Sequence, residues 1–395
     1  MSGVPRKQLT SEFTGISLFS GGGGLDLGLA EAGVRTLAAV EWERHACETL
    51  ERNKKARRVI AGEAYLRDCS VLQRDVRDVT GPEILRTVGM ASGEVTLLVG
   101  GPSCVSFSIA GGRAGLRSES GKLYLEFVRL LRSIRPKAFI FENVRGLLSA
   151  PGLEGSDEPA FEAIVAGMMA AGYALTWRSI NAADYGVPQH RHRVIVLGRR
   201  GRTPFGFPEE THTHPEKAAG AMRPWRTVRD AISDLPSPAM LGEAPTFPNH
   251  VARRHSPRVI ASLAATAPGK RNPIYKRDRL RWDEPAKTVR AQGKPKADGS
   301  GSLNSSHQSI HPTENRQITV REAARLQTFP DWYSFDETLV NGYRVVGDAV
   351  PPLLARILAS SVLTQLLSTD AETARVHTHP SRTLRRSTRV ETTVQ

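Results

Sequence analysis

The sequence predicts an α/β fold, in which a mostly parallel, doubly wound sheet is followed by a smaller, loop-rich domain. Two observations support this prediction. Over roughly the first two hundred residues, short apolar runs alternate with amphipathic helical patterns. From Arg199 to about His311, the sequence is instead rich in Pro, Arg, Gly and Ser and has little helical or strand periodicity, which is typical of a loop-rich unit.

Four short apolar runs end in Gly, Ser or acidic residues and predict strands that are buried on both faces. These runs are Ile16–Phe19, Val95–Val99, Ala138–Phe141 and Val194–Leu197. Between them, apolar residues at helical spacing predict two amphipathic helices. The inward faces are Leu123, Phe127, Leu130, Leu131 and Ile134 in the first helix, and Phe161, Ile164, Val165, Met168 and Met169 in the second.

The sequence divides into five predicted segments. A flexible N-terminus (1–13) precedes the core domain (14–198), and the loop-rich domain follows (199–318). Helical patterns return in Val320–Gln327, and in Pro352–Leu367 with proline at its start. Residues 319–368 are therefore predicted to be closing helices that return to the core. The basic tail 369–395 is rich in Thr and Ser and is predicted to be disordered.

The chain is strongly basic. Its 54 Lys and Arg residues oppose 40 acidic residues, which gives a net charge of +14 and a pI near 10.1. Clustered cations bind phosphates through counterion release, so this charge favours a nucleic-acid partner. The alternative is an ordinary protein with a basic tail at 382–389. We expect no signal peptide and no membrane span, because no apolar run is long enough, and therefore a cytoplasmic protein.

Cysteine and histidine spacing gives no reason to expect a disulfide or a metal. Cys47, Cys69 and Cys104 include no close pair and no metal-ligand spacing. His212 and His214 lie in a proline-flanked loop, where two histidines are more often polar surface than metal ligands. The sequence therefore predicts a site without a metal.

A glycine-rich turn follows the first predicted strand and opens a helix. Its four consecutive glycines, Gly21–Gly24, allow the backbone to turn tightly and to approach a ligand at the helix N-terminus. About twenty residues later, Glu41 lies at a strand end, where an acid can bind ribose hydroxyls. The pattern favours a cofactor that contains a nucleoside. It does not separate a dinucleotide from S-adenosylmethionine, and a structural turn is the alternative.

Two reactive residue types follow strands at the edge where doubly wound sheets bind ligands. Cys104 lies in a Gly/Pro/Ser-rich loop, where a thiol can be exposed and activated. Cys47 and Cys69 fit the pattern of inert cysteines better. Glu142 ends another buried strand, either as a capping or turn residue or as an acid in apolar surroundings that donates a proton.

The basic segment Gln189–Arg193 directly precedes the last of the four strands. Such a run is usually a solvated basic face. Because this run enters a strand at the edge of the predicted cleft, its arginines are also candidates to hold a base carbonyl or phosphates. The sequence alone leaves both interpretations open.

Six stretches, in this order and at these spacings, make the chain resemble the cytosine-5 DNA methyltransferases from Ile16 to about Leu367. They are the glycine loop, Gly100–Cys104, Glu142–Val144, Gln189–Arg193, Arg321–Pro330 and Val346–Pro352. Each match is weak alone, and six in the family's order argue strongly against coincidence. The resemblance implies a Rossmann-like methyltransferase sheet, with catalysis and cofactor binding in 14–198 and target recognition in 199–318.

The resemblance implies S-adenosyl-L-methionine as the cofactor. In the family the cofactor lies over the glycine loop, an acid after the second strand binds its ribose, another acid meets the adenine, and the closing motif returns to it. The residues implicated here are Phe19, Gly21, Gly23, Gly24, Glu41, Trp42, Asp75, Pro102, Asp348 and Val350.

The resemblance also implies methyl transfer to carbon 5 of a specific cytosine in double-stranded DNA. Cys104 would add to carbon 6, and Glu142 would hydrogen-bond the ring nitrogen and the exocyclic amine. Arg193, with Arg191, would hold the base carbonyl oxygen. The cytosine would be flipped out of the duplex, the loop 105–113 would close over it, and basic residues of the target-recognition domain would read base edges. We expect a monomer that either belongs to a restriction–modification system, with a restriction endonuclease for the same site as a candidate partner, or acts as a solitary methylase.

Three positions depart from the family pattern. Ser103 stands where proline is more common, and Val105 stands where glutamine is usual. Asp348 replaces a common asparagine, and its added charge would favour the positively charged sulfonium of the cofactor.

Three other functions compete with this interpretation. An RNA cytosine-5 methyltransferase of the same architecture would carry a Cys-Phe-Thr tripeptide, which the sequence lacks. A nicotinamide-dependent oxidoreductase would explain the glycine turn and leave the cysteine motif, Glu142 and the arginine pair unexplained. A catalytically inactive DNA-binding protein would not need an intact Cys104, Glu142 and Arg193.

Overall fold

The structure, a computed structural model, describes residues 13–102, 116, 121–152, 158–291, 308–336 and 338–377. Its α-helices are α1 (Gly24–Glu31), α2 (Arg44–Lys55), α3 (Gly81–Val88), α4 (Leu123–Ile134), α5 (Ala160–Ala170), α6 (Val228–Ile232), α7 (Pro257–Ala264), α8 (Val320–Leu326), α9 (Leu339–Asp348) and α10 (Pro352–His377). Its β-strands are β1 (Phe13–Leu18), β2 (Val34–Glu41), β3 (Val59–Ile60), β4 (Glu63–Ala64), β5 (Ser70–Gln73), β6 (Leu97–Gly100), β7 (Ala138–Val144), β8 (Tyr173–Asn181), β9 (Gln189–His190), β10 (His192–Arg200), β11 (His212–Thr213), β12 (Arg223–Pro224), β13 (Ala239–Met240), β14 (Val251–Ala252) and β15 (Ala286–Lys287).

Seven strands form the central sheet, in the order β5-β2-β1-β6-β7-β10-β8. Neighbouring strands from β5 to β7 are parallel, whereas β10 runs antiparallel to both β7 and β8. The predicted doubly wound, mostly parallel α/β sheet is therefore confirmed. The chain winds outward from β1 in both directions, so the topological switch point lies between β1 and β6, where folds of this type bind ligands.

Helices cover both faces of the sheet. On one face, α3, α4 and α5 pack around a core that includes Phe127 and Ile164. On the other face, α1 and α10 pack around Leu29 and Leu358. The predicted inward faces of α4 and α5 are buried or half-buried, except at Met169, which is 59% exposed. Ile164 and Met168 are four residues apart and share a face, whereas the next residue lies about 100° further around the helix.

The segment after β10 is loop-rich, as predicted, because its elements are short helices and two-residue strands. It does not form a core of its own. Val228 and Val289 share a hydrophobic cluster with Leu50 of α2 and with residues of α8 and α9. The predicted boundary at residue 199 falls inside β10, which pairs with β8 as far as Arg200. Phe205 then packs in the cluster beneath α10, so the core layer continues past that boundary.

The C-terminal region corrects two expectations. Helix α10 continues past Ser368 to His377, within the tail that was expected to be disordered, because residues 369–377 contain alanines and no proline or glycine. The stretch Leu339–Ser368 is also long and apolar enough to cross a membrane, contrary to the prediction from the sequence. In the structure, 56% of its most apolar window is buried inside the fold, as in a core helix.

Candidate active site

One edge of the sheet collects the residues that the sequence predicted for the site. The carboxyl ends of β1, β2, β6 and β7 lie at this edge because the strands are parallel. The first residues of β10 reach the same edge because β10 is antiparallel, and Arg193 pairs with Val144. The edge therefore brings together the glycine loop, Glu41, Pro102, Glu142 and Arg193.

Glu41 holds the glycine loop at the end of β2. Its buried carboxylate accepts hydrogen bonds from the backbone N–H groups of Gly21 (2.8 Å), Trp42 (2.9 Å) and Glu43 (2.8 Å). Burial raises the pKa of Glu41, although the three N–H donors act in the opposite direction. Gly21 has a φ of +54°, and a Cβ built on it would meet nothing within 4 Å. The loop therefore presents open backbone beside a carboxylate.

The closing helices pack against the glycine loop from behind. A Cβ on Gly24 would lie 2.1 Å from the carbonyl oxygen of Val350, so only glycine fits there. The Tyr333 hydroxyl donates a hydrogen bond of 2.8 Å to the carbonyl oxygen of Gly22. The hydroxyl of Tyr65 lies 3.5 Å from that of Tyr333. Both tyrosines are buried, and the analysis of the sequence missed them because neither belongs to a local motif.

The other candidate cofactor residues surround the loop in different ways. Trp42 is 60% exposed directly after Glu41. The Asp75 carboxylate accepts hydrogen bonds from Arg77, which lower the pKa of Asp75. Phe19 is half-buried and has a φ of 55°.

Asp348 is the last residue of α9 and is exposed, although protein atoms surround its carboxyl group. This desolvation raises its pKa, and Arg191 and Arg344 oppose the shift. The charged groups that act on the pKa of Asp348 also include Glu43 and Arg193.

Glu142 and Arg193 form an ion pair at the edge of the sheet. Arg193 Nε lies 2.6 Å from Glu142 Oε1, and both side chains are about nine-tenths buried. The apolar surroundings expected for Glu142 are therefore wrong, because the antiparallel strand β10 places a guanidinium beside it. A Cβ on Gly101 would lie 2.6 Å from Glu142 Oε2, so glycine makes room for the carboxyl. Asn143 donates to the carbonyl of Pro102 at 3.2 Å, which ties the segment before Cys104 to β7.

Arg191 does not lie with this pair. Its guanidinium is 1% exposed and donates to the carbonyls of Val289 and Gly347, each at 3.1 Å. These contacts correct the expectation that Arg191 holds the base. The reason is that Arg191 lies between β9 and β10, so it does not share the alternation of side chains that directs Arg193.

The described cysteines, Cys47 and Cys69, are buried, which fits the prediction that they are inert. Burial raises the pKa of the Cys47 thiol to about 12, and it raises the pKa of the Cys69 thiol further. Neither cysteine forms a disulfide. Cys104 lies outside the described residues, as do Ser103, Val105 and the rest of the loop to Arg113. Its role therefore stays a prediction from the sequence.

Asp26, in the first turn of α1, is a buried acid that the analysis of the sequence did not single out. It is fully buried, and Ser17 donates a hydrogen bond to its Oδ2 at 3.2 Å. Among the described residues, its Oδ1 has no hydrogen-bond partner. Burial raises the pKa of Asp26 from 3.8 to about 7. Its position in the glycine-rich motif was visible in the sequence, whereas its burial depends on the packing of distant segments.

We expect the variant Asp26→Asn to change how stability depends on pH. The native pKa of about 7 exceeds the unfolded value of 3.8, so the native state binds the proton more tightly. This contribution to stability is complete below pH 4 and is lost as the pH rises through 7. Asparagine does not titrate. Between pH 5 and pH 8, the wild type should therefore lose about 2–3 kcal/mol relative to the variant in urea unfolding. A difference that is constant with pH would contradict the assignment.

One group of described side chains could hold a metal ion. The ligand atoms of His45, Glu48 and Asp336 lie within 4.8 Å of one another. His45 Nδ1 is 2.8 Å from Asp336 Oδ2 and 3.5 Å from Glu48 Oε2, and Thr338 donates to Asp336 Oδ1. Protein donors thus already satisfy Asp336. We interpret the group as a hydrogen-bonded connection between α2 and the segment that precedes α9.

Comparison with known proteins gives consistent matches along the chain. The family model described as C-5 cytosine-specific DNA methylase matches residues 13–364. The Type II methyltransferase M1.HphI of Haemophilus parahaemolyticus is 34% identical over 354 residues, which cover 89% of this chain and 86% of that protein. The Type II methyltransferase M.XorII of Xanthomonas oryzae is 31% identical and covers 89% of this chain and 85% of that protein.

Two solved structures share the fold. A DNA modification methyltransferase encoded within an E. coli prophage superimposes with a TM-score of 0.67 at 23% identity, covering 90% of this chain and 99% of that one. The Dnmt2 methyltransferase of S. pombe superimposes with a TM-score of 0.56 at 16% identity, covering 91% and 99%. At these identities the likeness concerns the fold alone.

Proposed function

Because the chain belongs to the C-5 cytosine-specific DNA methylase family and is therefore a DNA methyltransferase, we propose that it transfers a methyl group from S-adenosyl-L-methionine to carbon 5 of a specific cytosine in double-stranded DNA. The observation that carries this proposal is the Glu142–Arg193 ion pair. It lies beside Pro102, two residues before Cys104. An acid and a guanidinium at one sheet edge, with a cysteine two residues further along the chain from Pro102, are the groups needed to hold and attack a pyrimidine.

The residues of the cleft fit this cofactor. Gly21 offers open backbone, and the Glu41 carboxylate can accept hydrogen bonds from ribose hydroxyls. The exposed indole of Trp42 offers an aromatic face for the adenine. The charge of Asp348, at the end of α9, would favour a sulfonium. When bound, the cofactor supplies an electrophilic methyl group.

The chain's own residues would prepare the cytosine. The Cys104 thiolate adds to carbon 6, which makes carbon 5 nucleophilic. Glu142 accepts a hydrogen bond from the exocyclic amine and gives a proton to the ring nitrogen, which balances the negative charge that the thiolate brings to the ring. Arg193 stabilises the Glu142 carboxylate and the oxygen of the base carbonyl. Carbon 5 then takes the methyl group and loses its proton to a base. Elimination of the Cys104 thiolate restores the aromatic ring. The proton returns to Glu142 when the thiolate leaves.

The substrate has to leave the base stack to reach this edge, which costs a few kcal/mol. Residues 199–318, the predicted target-recognition domain, are called the recognition segment. Its exposed cations are suited to offset that cost by binding phosphates: Arg254, Arg258, Lys270, Arg271, Lys276 and Arg281. By contrast, Arg279 is buried on carbonyls of the same segment and is not available to DNA. We expect a monomer that acts in the cytoplasm within a restriction–modification system, and the Type II names of the relatives support the last of these expectations.

Single-base bisulfite sequencing tests the function. The protein is expressed in a bacterial host that lacks cytosine methylation, and the host genome is sequenced. We expect one short DNA motif to be methylated at one cytosine. An unmethylated genome from cells that contain the folded protein would contradict DNA as the substrate. The same preparation, assayed on total RNA, would then test the RNA alternative.

We expect Glu41→Gln to weaken cofactor binding and to spare DNA binding. Loss of the carboxylate removes a charged acceptor for the ribose hydroxyls, and hydrogen bonds to charged groups contribute about 1.5–3 kcal/mol, or about 10- to 100-fold in Kd. Calorimetry with S-adenosylhomocysteine measures the first effect, and a gel-shift assay measures the second. Glu48→Gln, on the exposed face of α2, is the control. Equal losses in both assays would contradict the role of Glu41.

A further inference from the structure

The sheet edge that carries Glu142 and Arg193 is called the reacting edge here. A buried polar junction lies behind this edge and has no part in the proposed chemistry. It consists of Gln189, Arg191 and Gln327, each of which is at most 1% exposed. Arg191 joins two distant segments, because Nη1 donates to the carbonyl of Val289 and Nη2 donates to that of Gly347, each at 3.1 Å. A buried guanidinium is costly unless such acceptors satisfy it, so the segments are held in one arrangement.

Gln189 and Gln327 join the same segments by a second route. Gln189 Oε1 accepts from the N–H of Val289 at 2.8 Å, and its Nε2 donates to Gln327 Oε1 at 2.8 Å. Gln327 in turn donates to the carbonyls of Val346 at 2.8 Å and Ala349 at 3.3 Å. Arg191 and Gln327 therefore contact the backbone of residues 346–349 directly, and Gln189 connects to it through Gln327.

The junction connects the two binding surfaces of the proposed function. Val289 follows β15 in the recognition segment. The 346–349 backbone flanks Asp348 and continues to Val350, whose carbonyl packs against Gly24 of the glycine loop. The contact is close, since a Cβ on Gly347 would lie 2.2 Å from the N atom of Ala291. A shift of the recognition segment would therefore displace the wall of the cofactor cleft.

We propose that the Gln189–Arg191–Gln327 junction couples DNA binding to cofactor binding, with Arg191 as a positioning residue rather than a contact of the base. The inference rests on the proposed function, since it takes DNA and S-adenosyl-L-methionine as the two ligands. When DNA fixes the segment around Val289, the junction fixes the 346–350 wall, so each ligand lowers the cost of ordering the site for the other.

The test is a thermodynamic cycle. The Kd of S-adenosylhomocysteine is measured by calorimetry without and with a duplex that carries the sequence methylated in vivo. For the wild type, we expect the duplex to tighten binding by about 10-fold. For Arg191→Met, we expect the ratio of the two Kd values to approach 1. Gln327→Leu interrupts the junction from its other side and should have the same effect, and Arg191→Lys should restore part of the ratio.

Arg279→Met is the matched control. Arg279 is also a buried arginine that donates to backbone carbonyls, those of Leu263 and His311, but all its partners lie within the recognition segment. The Arg279→Met variant should have a lower Tm and an unchanged ratio of the two Kd values. This result would separate coupling from loss of stability. A wild-type ratio of 1, or an unchanged ratio in both junction variants, overturns the inference. A wild type that binds neither ligand refutes the proposed function itself.

Discussion

Cys104→Ala is expected to abolish methyl transfer, by at least about 10⁴-fold in kcat, the scale on which removal of a covalent nucleophile acts in other enzymes. Without the thiolate, carbon 5 of the cytosine is not made nucleophilic, and the methyl group has no partner. Duplex binding should change little, because it depends on cations and on the recognition segment. Transfer of labelled methyl groups to DNA and gel-shift titrations measure the two quantities.

A trapping experiment sharpens this prediction. Fluorine at carbon 5 cannot leave as a proton does, so a duplex with 5-fluorocytosine at the target should hold the wild type as a protein–DNA adduct that survives denaturing electrophoresis. Cys104→Ala should form no adduct. Cys69→Ala is the matched control, because its thiol is buried and lies outside the proposed chemistry. An adduct formed by the Cys104 variant would refute the covalent scheme.

Glu142→Gln is expected to lower kcat by about 10²–10³-fold, the usual effect of removing one group that stabilises charge in a transition state. The amide cannot act as a charged acceptor for the exocyclic amine. It also leaves the Arg193 guanidinium without its anionic partner, since in the wild type Arg193 Nε lies 2.6 Å from Glu142 Oε1. Since Glu142 lies at the reacting edge and not at the nucleoside end, the Kd of S-adenosylhomocysteine should stay within about threefold.

The chain offers a matched control for the loss of this ion pair. Glu126 and Arg129 on α4 form a more exposed pair of similar length, with Nε 2.7 Å from the carboxylate oxygen, and neither residue has a role in the proposed chemistry. Glu126→Gln should therefore leave kcat unchanged. If Glu142→Gln keeps more than a third of the wild-type kcat, Glu142 does not act on the base.

Local patterns were enough to predict the sheet and the end of its strands at which the candidate residues lie. A buried apolar run that stops at an acid marks the carboxyl end of a strand in a parallel sheet. By this signal Glu41 was found at the last residue of β2, and Glu142 was found two residues before the end of β7. Packing behind the glycine loop was not predictable, since Tyr65 and Tyr333 meet across more than 260 residues of chain. No periodicity encodes a contact of that separation.

Strand direction explains the errors at the arginines. The sequence predicts a strand after Gln189–Arg193 without specifying which way it runs. Because β10 is antiparallel to β7, its first residues meet Glu142, and the surroundings of that acid are charged rather than apolar. Two residues that are two positions apart in one continuous strand point to the same face of the sheet. Because the chain breaks between β9 and β10, Arg191 and Arg193 do not share a face, and their side chains have different partners.

The packing of Val350 and Tyr333 against the glycine loop has a consequence for biosynthesis. The loop is translated more than 300 residues before Val350 and Tyr333, the residues that support it. More than 300 further residues must therefore be synthesised before the loop has its support. Closure of so long a segment is slow, and until it is complete the apolar face of α1, which packs on α10, remains open to chaperones. The glycine loop of a growing chain thus stays unsupported until the region around Val350 has been made.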